Sequence, residues 1–457
     1  MPRDEIARAA ACPPTVVPPP KPLGTLETWR AARRNLLEVI PAQAYHDAQV
    51  WGESPLRWRM VCEPDAIEQV LKAQEPDFPK SEATLRLLRP TQGNSLFTAE
   101  GAEWRWQRRA VTPVFQPRNL RALSPVMTAA AEATAGRLAG KAGGVAEVHG
   151  EMVAATFDII CDTALSGRER LDRRRVSDAV TRFIETVGRV SLLDVLGVPG
   201  WVPRPNRLSR TDARRMDRMV DAVIAARRKR GPMPEADMLD LMLGAEDPET
   251  GRRHTPAEVR NNLLAFLIAG HETTALALSW SLYLCAFDPL VQARAAEEAQ
   301  AVLGDRAATA EDCARLPYIR QVLEEAMRLY PPAGLLSRGA RRADVLLGRT
   351  LEPGETVMVP IWAVHRHRAL WDDPDAFDPD RFAPEAARRR HRYAYLPFGA
   401  GPRVCIGMGF AMMEATIILA TLLARLRFTT LPSHRPTPRM LVTVRAEPGI
   451  VLGVSRR

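Results

Sequence analysis

The residues best placed to do chemistry in this chain begin with Phe398-Gly-Ala-Gly-Pro-Arg-Val-Cys-Ile-Gly407. Cys405 stands in a loop of glycines and a proline, and an apolar helical run, Met408 to Leu426, follows it. A thiolate just ahead of a helix would gain from free N–H groups and the helix dipole, which lower a thiol pKa. Glycines carry no Cβ, so the backbone can approach a large flat group. Arg403 offers a planar fork of donors to an anion. A lone cysteine beside a helix is more often a small buried apolar residue, so this loop needs support from elsewhere.

Three further constellations supply it. Ala269-Gly270-His271-Glu272-Thr273-Thr274 lies inside the longest apolar helical stretch, Asn261 to Phe287. Glycine and threonines lower helix propensity there. Either the helix opens locally, freeing a carbonyl or admitting water, or the threonines bond back to the preceding turn. His271-Glu272 is no metalloprotease pair, because position 275 is alanine. Trp104 and Arg108 are four apart and share a helical face, where an indole N–H and a guanidinium can bind a carboxylate. Glu325 and Arg328 are three apart, which allows an intrahelical ion pair, of a kind usually solvated and weak.

In this order the motifs carry a family resemblance. Phe398, Gly401, Arg403, Cys405 and Gly407 resemble the haem-binding signature Phe-x-x-Gly-x-Arg-x-Cys-x-Gly of the cytochrome P-450 superfamily. Residues 269–273 resemble its oxygen-activation motif, Ala-Gly-x-Asp/Glu-Thr, and Trp104 to Arg108 its Trp-x-x-x-Arg helix. Glu325 and Arg328 resemble its Glu-x-x-Arg pair, which meets the arginine of a Pro-x-Arg-Phe segment, here Arg381. Asp380 stands where glutamate is commoner, and His367 follows His365-Arg366 where aspartate is frequent. The resemblance covers about residues 40 to 455, and is to soluble bacterial-type members without a fused reductase.

The resemblance implies a mainly α fold with a small β portion. Residues 1–22 would be a proline-rich lead-in and 23–457 a single haem domain. It implies haem b (iron protoporphyrin IX) with Cys405 as the axial iron ligand, a thiolate that pushes electron density to the metal. Glu272 and Thr273 would deliver protons. Trp104, Arg108, Arg338 and Arg403 would hold the propionates, and Phe398 would pack near the thiolate. Glu325, Arg328 and Arg381 would form a structural triad. The implied activity is monooxygenation of a lipophilic substrate with dioxygen. A peroxide-dependent peroxygenase and a non-catalytic haem sensor are the alternatives.

The positioning elements follow from pattern. Residues 12–22 are proline-rich and read as an extended lead-in outside the core. Trp58–Val61 reads as a strand, Pro64–Ala73 as a short helix, and 120–185 and Asp212–Lys229 as helical. Thr255-Pro-Ala-Glu258 reads as a capping box opening the central helix. Leu192 to Pro205 is apolar yet turn-rich, either a packed edge or a lid over the substrate entrance, able to touch a membrane surface. Val345–Leu347, Thr356–Pro360 and Leu441–Val444 read as short strands. Leu264, Phe266, Leu267, Ala269, Leu335 and Leu336 suggest an apolar pocket.

Bulk properties fit. The 457 residues are 46% hydrophobic and 26% charged, ordinary for a globular protein. The net charge of +9 is not accompanied by a nucleic-acid-binding motif. Six cysteines without a Cys-x-x-Cys pair suggest reduced thiols and a cytoplasmic protein. The apolar runs near 263–270 and 416–424 are too short for a transmembrane segment. No flavin or iron–sulfur motif occurs, so electrons are expected from a ferredoxin or flavodoxin with its reductase, docked on the basic run Arg388-Arg-Arg-His-Arg392.

Overall fold

The computed structural model describes residues 12–53, 57–73, 75–164 and 210–457. The Leu192–Pro205 segment, and the helical pattern beyond residue 164 as far as 209, lie outside them. In chain order the main elements are α1 (Thr25–Arg34), β1 (Gln49–Gly52), β2 (Trp58–Val61), α2 (Gly101–Val111), α3 (Pro117–Ala139), β3 (Gly144–Glu147), α4 (Val148–Ala164) and α5 (Arg210–Arg230). Then come α6 (Pro256–Phe287), α7 (Pro289–Leu303), α8 (Pro317–Leu329), β4 (Leu336–Gly339), β5 (Asp344–Leu346), β6 (Arg349–Leu351) and β7 (Thr356–Val359). The chain closes with α9 (Met408–Arg425), β8 (Leu426–Thr429), β9 (Thr437–Met440), β10 (Val444–Glu447) and β11 (Val451–Arg456).

Helix α6 is the axis of the molecule, and α4, α5, α8 and α9 all pack on it. It starts where the sequence says. The Thr255 hydroxyl accepts from Glu258 N, the Glu258 carboxylate accepts from Thr255 N (2.8 Å), and Pro256 takes the first turn. Every side chain from Thr274 to Ala286 is buried, so the helix has no polar face to give to water. Trp280, fully buried, stacks on Tyr330 at 3.7 Å. Burying such a ring contributes about 3 kcal/mol.

The β portion is small and interspersed. One sheet has the order β1-β2-β7-β4, with β2–β7 parallel and the other pairs antiparallel. A second has the order β3-β11-β8, and β5–β6 and β9–β10 are hairpins.

Several expectations need correction. The 120–185 helical stretch is divided by strand β3, which β11 claims through antiparallel pairing. Leu441–Val444 is the bend between β9 and β10, not a strand, and only Val444 enters the ladder. The proline-rich lead-in touches the core: Pro13 and Pro14 are buried, and the Tyr330 hydroxyl donates to Pro14 O at 2.8 Å. Helices α6 and α9 are long and apolar enough to cross a membrane, longer than the apolar runs suggest. In the fold, 78% and 72% of their most apolar windows are buried against protein.

Candidate active site

The cysteine loop is held from inside and behind. Cys405 N donates to Phe398 O (3.0 Å) and Val404 N to Gly401 O (3.1 Å). Gly399 and Gly401 have φ of 68° and 72°, a region that favours glycine. A Cβ on Gly401 would stand 2.8 Å from the Leu71 carbonyl carbon and closer still to its oxygen. That glycine therefore makes room for the protein's own backbone, not for a flat ligand as the sequence suggested.

Behind the loop, Leu396 N donates to His365 Nε2 (2.8 Å), and His365 Nδ1 lies 3.2 Å from Arg328 O. Burial, with Arg328 and Arg366 nearby, holds His365 well below the usual histidine range. The neutral ring accepts at Nε2 and donates from Nδ1. Arg328 is completely buried and bidentate on Glu325 (2.6 and 2.7 Å), and it donates to the carbonyls of His365, Pro374 and Ala376. Arg381 Nε lies 3.5 Å from Glu325 Oε1. The expected triad is thus assembled, as a buried network and not the solvated pair that helical spacing alone suggests. His365, missed as a bracing residue, joins the triad to the loop.

The Cys405 side chain is accessible, yet protein surrounds it closely. Burial pushes its thiol above the ordinary value, against the pull of the Gly407 backbone N–H and the Arg108 guanidinium. Cys405 lies three residues ahead of Met408, where α9 begins, and desolvation outweighs the two groups that favour the thiolate.

Cys405 and Phe115 both flank Gly407, and Phe115 leads on to α6. A Cβ built on Gly407 would lie 3.9 Å from both Cys405 Sγ and the Phe115 ring. Phe115 meets Phe266 edge-on with ring centroids 5.4 Å apart. Phe266, Ala269, Gly270 and Thr273 form one stripe on α6. Ala269 is exposed and Phe266, Gly270 and Thr273 are half-buried, whereas the residues between them are buried; Phe115 stands between this stripe and the neighbourhood of the thiol. Leu335 and Leu336 are half-buried, with Leu336 3.7 Å from a Cβ built on Gly399. Leu264 and Leu267, expected in the pocket, are wholly buried in the core.

The stripe is unbroken α-helix, so the local opening is not found. Thr273 Oγ1 donates back to Ala269 O at 2.7 Å. Glu272 is buried and pairs with Arg445 of β10, a partner no sequence pattern announces. Trp104 is buried and Arg403, in the cysteine loop, stacks over its ring at 4.3 Å. Arg403 donates to Glu100 (2.6 Å) and to Ala99 O (2.9 Å). Arg338, on β4, is buried and donates to Ser337 O. Arg108 is held below its ordinary value by burial, and Cys405 is the group that opposes this. Arg109 points away, bidentate on Asp247 at 2.7 and 2.8 Å.

Comparison with known proteins identifies the family. The cytochrome P-450 family model matches residues 44–453. Cyclooctatin synthase of Streptomyces melanosporofaciens is 32% identical over 90% of this chain and 90% of its own. Cyclooctat-9-en-7-ol 5-monooxygenase of the same organism is 31% identical over 89% of this chain and 87% of its own. The crystal structure of the cytochrome P-450DA heme domain superposes with a TM-score of 0.80 at 27% identity, covering 97% of this chain and 98% of that one. Thiol loop, buried triad, central helix and family match agree: the chain belongs to the cytochrome P-450 family and is a haem-thiolate monooxygenase.

Proposed function

We propose that the chain binds haem b through Cys405 and hydroxylates a lipophilic cyclic substrate with electrons from a separate ferredoxin or flavodoxin. The observation that carries the ligand assignment is the accessible Cys405 thiol, in a loop braced by the buried triad; we read the cofactor cleft as lying between this thiol and the uncovered stripe of Ala269 and Thr273. The donor set fits the cofactor. Arg108 is a half-buried cation with no carboxylate partner among the described residues, and a propionate would offset its lost solvation. Trp104, Arg338 and Arg403 would complete that grip, Arg403 by exchanging Glu100 for a propionate or bridging both.

Bound haem supplies the activation of dioxygen that puts one oxygen atom into a C–H bond and reduces the other to water. The chain's own residues do the rest. The Cys405 loop holds the thiolate, and Phe398 fixes it through its carbonyl. Thr273 presents a hydroxyl to the cleft; because it donates to Ala269, its oxygen is ready to accept from a proton source. Glu272, next in sequence, is that source. Phe266, Ala269, Leu335 and Leu336 line the cleft with apolar surface that excludes water and suits a lipophilic molecule. A cyclic alcohol is favoured by the name of one relative, which acts on cyclooctat-9-en-7-ol. A cytoplasmic location belongs to the same proposal.

Cys405→Ser tests the ligand. The wild type is expected to give the red-shifted Soret band of a thiolate-ligated reduced carbon monoxide complex, and the variant none. A normal band in the variant overturns the assignment.

A further inference from the structure

Trp104 and Arg108, one turn apart on α2, lie on the side of the cysteine loop: Arg403 stacks over the indole, and Cys405 is close enough to act on the guanidinium. The other side of α2 is gripped by the turn 246–253. Arg109 makes its two bonds to Asp247, whose completely buried carboxylate also accepts from Thr250 Oγ1 (2.7 Å) and Glu249 N (3.3 Å). The Arg109 guanidinium, with these other donors behind it, holds Asp247 well below the usual carboxylate range. Trp106 packs against Arg252, 3.8 Å from its ring, and against His254, with ring centroids 4.7 Å apart. Arg252 also donates to Glu103 of α2 (3.3 Å) and to Glu258 (2.8 Å), the capping residue of α6. The turn closes on itself, Asp247 N donating to Arg252 O and Gly251 N to Asp247 O, both at 2.8 Å. Beside it, Gln107 of α2 accepts from Asn262 Nδ2 of α6 at 3.2 Å.

Glu103, Trp106 and Arg109 are three apart in turn, so the grip runs as one row over two turns of α2. A bidentate pair of guanidinium and carboxylate fixes an angle as well as a distance. With that pair at one end of the row and Arg252 at the other, α2 can neither slide nor rotate without breaking a buried charge pair, which is costly. Rotation by a single residue would carry Trp104 and Arg108 away from the cysteine loop. We propose that the turn 246–253 is the clamp that positions α2 for cofactor binding, with Asp247 as its anchor: it holds the helix where Trp104 and Arg108 meet the propionates. This rests on the reading of Trp104 and Arg108 as propionate donors. Asp247 and Arg252 are positioning residues, acting only through α2. Through Glu258, Arg252 sets the first turn of α6 from the same element, so the helix that holds the propionates and the helix that carries Thr273 share one anchor.

The test uses the haem-loaded protein without turnover. Haem transfer to excess apomyoglobin and the ferric/ferrous midpoint potential are measured in wild type, Asp247→Asn, Arg109→Gln, the double variant and Arg108→Gln. Asp312→Asn is the control. Asp312 is likewise buried, bidentate on Arg306 (2.5 and 2.8 Å) and accepting from Thr309 N and Oγ1, but it lies between α7 and α8. Asp247→Asn should transfer haem about tenfold faster, since a hydrogen bond to a charged group is worth that much or more. Its potential should become more negative, because propionates with a displaced cation favour the ferric charge. Arg109→Gln should do the same, and the double variant no more than either, as expected of one coupled pair. Asp312→Asn should lower the denaturant midpoint comparably and leave transfer and potential at wild-type values. If Arg108→Gln speeds transfer while Asp247→Asn does not exceed Asp312→Asn, the clamp is overturned. If Arg108→Gln itself leaves transfer and potential unchanged, the propionate reading falls and takes the clamp's role with it. If Asp247→Asn fails to fold, Arg252→Gln replaces it, its side chain being 45% exposed: faster transfer supports the clamp, and wild-type transfer and potential overturn it.

Discussion

Glu414 is a carboxylic acid with nowhere to ionise cheaply. It sits on α9, nine residues past Cys405, and is almost fully buried. Burial pushes its pKa up to about 8, with the Thr274 hydroxyl pulling slightly the other way. The sign of the pH effect follows. Between about pH 4.5 and 8 the folded protein holds a proton here that the unfolded chain has released. Unfolding is therefore easier as pH rises through that window, and the contribution levels off above it. The loss is at most about 5 kcal/mol, since each tenfold change in proton affinity is worth about 1.4 kcal/mol. Glu414→Gln should flatten the fall in denaturant midpoint between pH 5 and 8 and be the more stable form at pH 8. An equal slope in both proteins would assign the pH dependence to other groups. Single residues of this kind are the least legible in a sequence. Cys405, Arg108 and Thr273 announce themselves by motif, whereas Glu414 is one acid in an apolar helix, and only packing shows that no cation among the described residues pairs with it.

At the scale of elements, bracing is what turns a motif into a site. The Glu325 and Arg328 pair was readable from spacing, and its burial was not, because spacing says nothing of what covers a helix face. His365 is the clearest case. It links Arg328 O on α8 to Leu396 N ahead of the cysteine loop, two partners 37 and 31 residues away. His365→Phe keeps the ring volume and removes both hydrogen bonds, leaving a buried N–H and a buried carbonyl short of a partner at about 1–3 kcal/mol each. The reduced carbon monoxide complex should then shift in part from the thiolate band to the non-thiolate band and lose haem faster on warming. A wild-type spectrum and wild-type haem retention would mean that the triad alone holds the loop. The β9–β10 hairpin was misplaced for a related reason. Leu441-Val-Thr-Val444 has strand-forming residues and no glycine or proline to mark a turn, yet the pairing of Thr437–Met440 with Val444–Glu447 makes it the bend. With the hairpin misplaced, Arg445 could not be aligned with Glu272.

Members of the cytochrome P-450 family generally take electrons from a redox partner, and on the proposed function the charge distribution of the whole molecule says where one would dock. The net charge of +9 is spread widely, but the end of the 388–392 run and the cysteine loop both pack on residues 64–73. Arg392 and His391 meet Glu68 and Asp65, and the neighbouring turn Gln69–Ala73 packs on Gly401–Arg403. The five basic residues are not equivalent, which the sequence could not say. Arg390 is spent on Trp371 and Phe382, over whose rings it stacks at 4.2 and 4.5 Å, and Arg392 is paired with Glu68. Arg388 and Arg389, on the short helix Pro384–Arg389, are exposed with no carboxylate partner among the described residues. On the proposed function they are the charges left to steer an acidic redox partner. Arg388→Glu with Arg389→Glu should lower the second-order reduction rate about tenfold at low ionic strength and flatten its dependence on salt, with the carbon monoxide spectrum unchanged. Stopped-flow reduction across a salt series measures both. Arg390→Ala is the contrast, since it should loosen the Trp371 and Phe382 packing and leave the salt slope as it was. An unaltered rate and slope in the double variant would move the docking surface elsewhere on the molecule.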